Sequence, residues 1–375
     1  MKKKPSLTVF ASFSGSGGVE RMLINLIRGF IALDQAVDLV LIRADSPHLA
    51  RLPPQVNLIQ LHTKHTFSAI PEFARYLRIH RPTVILAAKD RAGRAAVLAR
   101  ALAQINTRLV LRLGTNLSAA MAMRTAPERW LRYAPIRLFY PQLDRIIAVS
   151  QGVADDTAQI ARIPHERISV IRNPVITPEL NQLAAEPCPH SWLEPNQPPV
   201  ILGMGRLQQQ KDFPTLIRAF AQVRAERNCR LIILGEGGGR AQLTQLIAEL
   251  GLNTSVALPG FQVNPYAWLA RAGLFALSSA WEGSPNVLTE ALALGVPVVA
   301  TNCPSGPAEI LNSGQYGKLV SIGDAAAMAQ AVITTLEQPL SPVFLRQAVV
   351  EYTQEYSAAQ YLRALGLRGC IETNR

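Results

Sequence analysis

Two patterns alternate along the chain. Short, β-branched, almost wholly apolar runs are each followed by a stretch with apolar residues at helical spacing. SLTVFASF (6–13) precedes a stretch, 19–33, in which Met22, Leu23, Leu26, Ile27 and Phe30 recur at i, i+1, i+4, i+5 and i+8. Those positions share one face of a helix. VDLVLIR (37–43), TVILAA (83–88), RLVLRL (108–113) and RIIAVS (145–150) read as further strands, with helical patterns between most of them. Strands that lack polar alternation are buried on both faces, as in a parallel sheet built from βαβ units.

The second half repeats the scheme. Strands are predicted at 199–205, 230–236, 255–260, 274–279 and 297–301, and helices at 212–227, 239–250, 264–272, 285–294 and 306–312. The Pro- and Asn-rich segment 172–199 has no clean period and reads as a linker plus the entry to a second domain. A last helix is predicted over 343–366. The predicted organisation is a first domain at 1–172, a linker at 173–198, a second domain at 199–350 and a terminal helix in 351–375. Two doubly wound α/β domains facing each other across a cleft are the simplest architecture. Ligands of such sheets bind beyond the carboxyl ends of the strands.

Composition narrows this picture. At 375 residues the chain has room for two ordinary cores. Cys188, Cys229, Cys303 and Cys370 lie far apart, without metal-ligand spacing, so a reducing compartment fits and no metal site is expected. MKKKPSLTVF leads into glycines and reads as a strand entering a loop, not a signal peptide. The charge-free stretches 250–270 and 291–308 are broken by Pro, Asn and Gly and do not span a bilayer. Net charge is uneven: residues 1–175 hold 25 Lys+Arg against 11 Asp+Glu, a net +14, while 176–375 hold 13 against 15. A basic first half either is simply solvated or faces something anionic. Arg124, Arg129, Arg132, Arg137 and Arg145 frame Trp130, Tyr133, Phe139 and Tyr140, a mixture suited to an interface, although Pro127, Pro135 and Pro141 are expected to interrupt an amphipathic helix there.

The most informative segment is WEGSPNVLTEALALG (281–295). Ser284 is placed to N-cap a helix with Pro285 at its first position, and Gly295 ends it. Glu282 then lies in the preceding loop and Glu290 in the helix. Either carboxylate alone reads as a surface group. Together with the amides of a helix N-terminus, the pair suits a phosphorylated, polyhydroxylated ligand.

Here the chain resembles the retaining glycosyltransferases of the GT-B fold, glycosyltransferase family 4, over most of its length and most strongly across 199–320. Glu282 and Glu290 stand as that family's E-x7-E signature. GRLQQQKDFPTLIRAF (205–220) resembles its G-R-L-x-x-x-K motif, and ILGEGGGRAQL (233–243) and FSGSGGVER (13–21) resemble its two Gly-rich turns. The resemblance implies Arg206 and Lys211 as cations on the donor diphosphate, Glu282 with Gly283 and Ser284 against sugar and phosphate, and Glu290 on the ribose. Gly17, Gly18, Gly205 and Gly235 would admit the donor. Phe261 and Gln262 would lie beside the base, and Pro285, Asn286 and Val287 would form the helix start that receives the pyrophosphate. It also implies that the terminal helix crosses back to the first domain near Tyr356 and Ser357. Many family members carry a His near the end of the fourth strand; here the run is LRLGTNLS (111–118), which leaves Arg112, Thr115 and Asn116 as acceptor-side candidates.

The implied activity is transfer of a hexosyl unit from a nucleotide-sugar, with UDP suggested by CPSGPAEIL (303–311), to a glycan or lipid-linked acceptor with retention. No cofactor or metal is expected. The implied setting is cell-surface polysaccharide or glycolipid synthesis, in the cytoplasm or at the inner membrane face, with peripheral contact to anionic lipid. Another GT-B chemistry, such as nucleotide-sugar epimerisation, is the rival among enzymes. Nucleic-acid binding is the rival from another class, but no recognition-helix or aromatic-rich basic strand motif supports it.

Overall fold

The computed structural model describes residues 6–15, 17–63, 65–187 and 190–367, so Cys188 and Cys370 lie outside the described residues. The chain divides into two compact units, Met1–Val175 with Glu351–Arg375, and Ile176–Val350.

The first unit is a parallel sheet of β1 (Leu7–Phe13), β2 (Val37–Ala44), β3 (Asn57–Gln60), β4 (Val84–Ala88), β5 (Arg108–Leu113), β6 (Arg145–Ala148) and β7 (Ile168–Val170), in the order 3-2-1-4-5-6-7. Between the strands run α1 (Gly18–Ala32), α2 (Ile70–His80), α3 (Asp90–Ala103), α4 (Leu117–Ala120), α5 (Ala126–Phe139) and α6 (Gln151–Ala161). Central strands are buried over most of their length, with β4 covered at every residue. The continuous apolar runs are therefore the sequence form of a two-sided core. On one face Phe10 stacks on Phe73 of α2 at 3.9 Å between ring centroids. Alanines of α3 complete that core beside α5. The expectation that prolines would interrupt the 121–140 region does not hold. Pro127 lies in the first turn, where its missing N–H costs nothing, and the helix continues through Pro135.

The second unit begins with α7 (Leu180–Ala185) inside the predicted linker. Its parallel sheet holds β8 (Val200–Met204), β9 (Arg230–Leu234), β10 (Val256–Gly260), β11 (Leu274–Leu277), β12 (Val298–Thr301) and β13 (Lys318–Val320), in the order 10-9-8-11-12-13. The helices are α8 (Phe213–Glu226), α9 (Arg240–Glu249), α10 (Tyr266–Leu269), α11 (Asn286–Leu294), α12 (Pro307–Ile310), α13 (Ala325–Glu337) and α14 (Pro342–Gln347). In both sheets the strand order reverses once, between β1 and β4 and between β8 and β11. In a parallel sheet that reversal opens a crevice at the carboxyl ends.

The single helix predicted over 343–366 is two. After α14 the chain leaves the second unit, and α15 (Gln354–Ala364) starts afresh with Thr353 accepting from Tyr356 N. The break follows from that passage, fixed where Val175 N donates to Tyr352 O at 2.9 Å. Helix α15 packs on α1 and buries Tyr361 and Leu362 in the second core of the first unit. Each such side chain contributes about 1.5–3 kcal/mol. A Cβ at Gly29 would lie 2.7 Å from that of Ala358, so the glycine permits the close approach of α1 and α15.

Candidate functional site

In the second unit the turn after β8 and the loop after β11 emerge on either side of the strand-order reversal and are bonded together. Lys211 Nζ lies 2.5 Å from Glu282 Oε1, which also accepts from Ser279 Oγ at 2.7 Å. Gln210 Nε2 donates to Trp281 O at 2.9 Å, Ala280 N to Gln210 O at 2.8 Å, and Ser278 Oγ to Lys211 O at 2.7 Å. Glu282 is buried, and its cation and hydroxyl donor offset the cost of keeping a carboxylate out of water. Arg206, five residues before Lys211, is exposed, and no carboxylate among the described residues pairs with it. The turn after β9 rests on the same segment: a Cβ on Gly235 (φ 134°) would fall 2.0 Å from Gly205 O, and Leu207 N donates to Glu236 O at 3.0 Å.

Beyond this pair the chain enters α11, one residue later than expected. Pro285 holds the N-cap position (φ −72°, ψ 100°) and Ser284 caps nothing. The Pro285 ring and the Ser284 backbone are instead packed against Gly306, whose φ of 94° and lack of a Cβ permit the contact, and Ser284 Oγ is buried with no hydrogen-bond partner among the described residues. Asn286 and Val287 open the helix, so their amides face its N-terminal end. One turn on, Glu290 is buried and accepts from Tyr266 Oη at 3.3 Å. Phe261 is exposed in the loop after β10, while Gln262 Nε2 donates to Pro259 O. Burial, then the charge of Glu282, push the nearby Cys303 thiol up to about 12.

The first unit repeats this relation. Lys89 Nζ, after β4, lies 3.0 Å from Oε1 of Glu20, which α1 presents after β1. Lys89 has a positive φ (73°, with ψ 150°), held by bonds from Lys89 N to Arg112 O and from Gly93 N to Lys89 O. Glu20 is buried, and a Cβ on Gly17 would come within 2.7 Å of its Oε2. Gly17 thus accommodates a carboxylate, and Gly18 is the first residue of α1. At these strand ends lies a cavity of about 430 Å³, lined by Ser12, Lys89, Thr115, Arg132 and Tyr140 among others. Asp90 organises its wall, accepting from Arg132 (2.7 Å), Arg94 (2.9 Å) and Tyr140 Oη (3.1 Å). Burial and then Asp90 raise the Tyr140 hydroxyl well above its ordinary range.

Of the three acceptor-side candidates, Thr115 is exposed at this cavity. Asn116 caps α4 by accepting from Ala119 N at 3.0 Å. Arg112 is buried, donates to Asn173 Oδ1 at 2.7 Å and lies beside Tyr361 of α15; burial lowers its pKa, and Tyr361 partly opposes that. Two of the three are therefore held by the fold. Sequence reasoning passed over Lys89 and Asp90, which carry no motif and whose signal was two charged residues ending an apolar strand. Glu20 stood inside the GGVER turn without an assigned role. Among the described residues no three His, Cys, Asp or Glu side chains gather as a metal site.

The family described as Glycosyl transferases group 1 matches residues 188–356, and that described as Glycosyltransferase Family 4 matches 16–178. The N-acetylgalactosamine-N,N'-diacetylbacillosaminyl-diphospho-undecaprenol 4-alpha-N-acetylgalactosaminyltransferase of Campylobacter jejuni is 32% identical over 342 residues, 88% of this chain and 90% of that protein. A glycosyltransferase structure from Rickettsia africae has a TM-score of 0.78, with 16% identity, over 97% of this chain and 98% of that one. A structure of Anabaena HepE in complex with UDP has a TM-score of 0.75, with 22% identity, over 96% and 99%. Both solved structures share the GT-B fold with this chain.

Proposed function

The chain belongs to the glycosyl transferases group 1 and is a glycosyltransferase, and from that premise we propose that it transfers a hexosyl unit from a UDP-sugar to a glycan or lipid-linked acceptor with retention. The observation that carries the reading is the meeting of Arg206, Lys211, Glu282 and the start of α11 at one strand-order reversal. Cations and helix amides suit a diphosphate, and the carboxylates suit hydroxyl groups.

In this reading the bond from the anomeric carbon to the diphosphate oxygen breaks as the acceptor oxygen bonds to that carbon. The acceptor proton passes to the departing diphosphate oxygen. Arg206 and Lys211 stabilise the charge that grows there, which makes a metal unnecessary. Glu282 faces the sugar, Glu290 the ribose. UDP is favoured by CPSGPAEIL and by the UDP complex of the Anabaena protein. A diphosphate-linked lipid acceptor, as in the name of the Campylobacter relative, draws on the basic first unit and its cavity. The reaction then runs at the inner face of a membrane, in surface polysaccharide or glycolipid synthesis.

The test is thermal unfolding with UDP, GDP, ADP and CMP, with and without EDTA. UDP at about 100 times its Kd should add about 2.7 kcal/mol. A larger shift with another nucleotide overturns the UDP assignment, and loss of the shift in EDTA overturns metal independence. Product analysis separates transfer from epimerisation, which would return a nucleotide-sugar and no free UDP.

A further inference from the structure

Glu290 stands in the second turn of α11 and is 1% exposed. The last torsion of a glutamate side chain is broad, so no rotamer well fixes the plane of its carboxylate. Something outside α11 must do so. Tyr266 Oη lies 3.3 Å from Glu290 Oε1, and Tyr266 is itself buried, at 5% exposure. An ionised carboxylate only accepts, so the phenol donates. The carboxylate offers about four lone-pair directions, and the bond from Tyr266 leaves it able to accept from a ligand as well.

Tyr266 opens α10, a single turn of four residues that would not hold its shape alone. Its place is set by α7, at the entry to the second unit. Asn264 Oδ1 accepts from Tyr266 N at 3.1 Å, while Asn264 Nδ2 donates to Leu183 O and to Glu186 Oε2, both at 2.8 Å. Beyond the other end of α10, Arg271 Nη1 donates to Ala184 O at 3.1 Å. Leu183 O and Ala184 O are among the last four carbonyls of α7, which a helix leaves unmatched. Asn264 and Arg271 therefore satisfy the end of α7 and anchor α10 with the same bonds. Ala267, Trp268 and Leu269 are buried, so α10 is also held by packing.

We propose, on the reading of Glu290 as the ribose ligand, that Tyr266 is a positioning residue for the donor. Its hydroxyl holds the Glu290 carboxylate in the plane that bonds the two ribose hydroxyls, and Asn264 sets Tyr266 from the end of α7. A carboxylate can meet two neighbouring hydroxyls with one oxygen each, so a rotation of its plane weakens both bonds together. The diphosphate separates the ribose from the anomeric carbon. Misorientation of Glu290 therefore weakens ground state and transition state alike, and its effect falls on KM and not on kcat. A hydrogen bond that only packed α10 against α11 would contribute to stability and leave the preference among nucleotides unchanged.

The full chain is titrated calorimetrically with UDP and with its 2′,3′-dideoxy analogue, which lacks both ribose hydroxyls. The parent should prefer UDP by about 100-fold, and Glu290→Gln should abolish most of that preference. Tyr266→Phe keeps the buried ring and removes one hydroxyl. It should lower the preference about ten-fold by weakening UDP, with binding of the analogue changed less than about two-fold. KM for the nucleotide-sugar should rise about ten-fold and kcat stay within about two-fold. Asn264→Ala, which removes the anchor and keeps the phenol, should lower the preference about three-fold. Should GDP give the larger thermal shift, the guanosine pair of the same compounds reads the same preference. A parent chain with no preference, or one that Glu290→Gln leaves intact, overturns the ribose assignment and the role of Tyr266 with it. A parental preference that Tyr266→Phe preserves overturns the role of Tyr266 alone, as does equal weakening of both ligands.

Discussion

Lys211 and Glu282, 71 residues apart in the chain, form a 2.5 Å ion pair across the strand-order reversal of the second sheet. Lys89 and Glu20 span the reversal of the first sheet at 3.0 Å, with acid and base exchanged between the two strands. The loops that must hold a ligand are thus first tied to each other by charge. In the second unit this separates two cations that look equivalent in sequence. Lys211→Met should cost about 3 kcal/mol, because it leaves a buried carboxylate without its cation, and adding Glu282→Gln should restore most of that. Arg206→Ala, at an exposed position, should change stability by less than about 0.5 kcal/mol. Both Lys211→Met and Arg206→Ala should lower kcat about 100-fold or more. Urea unfolding beside steady-state kinetics checks both, and equal stability of the two variants would refute the distinction.

Gly235 and Gly238 stand three residues apart in one Gly-rich turn. A methyl group at Gly235 would lie 2.0 Å from Gly205 O on a backbone with φ of 134°, whereas at Gly238 it would meet nothing within 4 Å. Gly235→Ala should destabilise the protein by about 3 kcal/mol or more and Gly238→Ala by less than about 0.5 kcal/mol. Denaturant midpoints of the two variants are the measurement, and a tolerant Gly235 would contradict the packing described.

Lys89 holds a positive φ that costs a non-glycine residue about 1 kcal/mol. Both Lys89→Gly and Lys89→Ala remove the partner of Glu20, so the difference between them reports the backbone alone. The glycine variant should be the more stable by about 1 kcal/mol. Both should raise KM for the acceptor while leaving the shift in melting temperature with UDP in place. Equal stability of the two would mean that the backbone relaxes at this position.

Cys303 is buried, with its thiol pushed up to about 12. At pH 8 the native protein should react with iodoacetamide at this position about a thousandfold more slowly than a free thiol does. The folded state keeps a proton that the unfolded state releases. Stability should therefore fall as pH rises between about 9 and 12, by about 1.4 kcal/mol per unit. Cys303→Ala should lower the slope by that one-proton contribution, leaving the part due to the buried Cys229, Tyr140 and Tyr361, and an unchanged slope would assign the contribution to another group.

The parts of the fold most legible in sequence were those buried on both sides. The span 108–113 was read as a strand to the residue, because every position in β5 except its ends is covered. Strands β3, β7 and β13 were not predicted. They lie at sheet edges, are partly exposed, and carry too few apolar residues to stand out. In the site, Arg206, Lys211, Glu282 and Glu290 were visible because each sits in a dense local pattern. The 71-residue pairing of Lys211 with Glu282 was not, since no local spacing encodes a contact made by sheet topology. Arg112 looked like a candidate from its place at a strand end. Its burial against Tyr361, 249 positions later in the numbering, depends on where α15 returns.

That return has a consequence for how the protein is made. Residues 176–350 form an uninterrupted stretch, whereas the first unit draws on both sides of it. A chain leaving the ribosome can fold the inserted unit while the older one still lacks Tyr361 and Leu362 to close its core against α1. The unit synthesised first is finished last, and until α15 arrives it carries open apolar surface that a chaperone would have to shield.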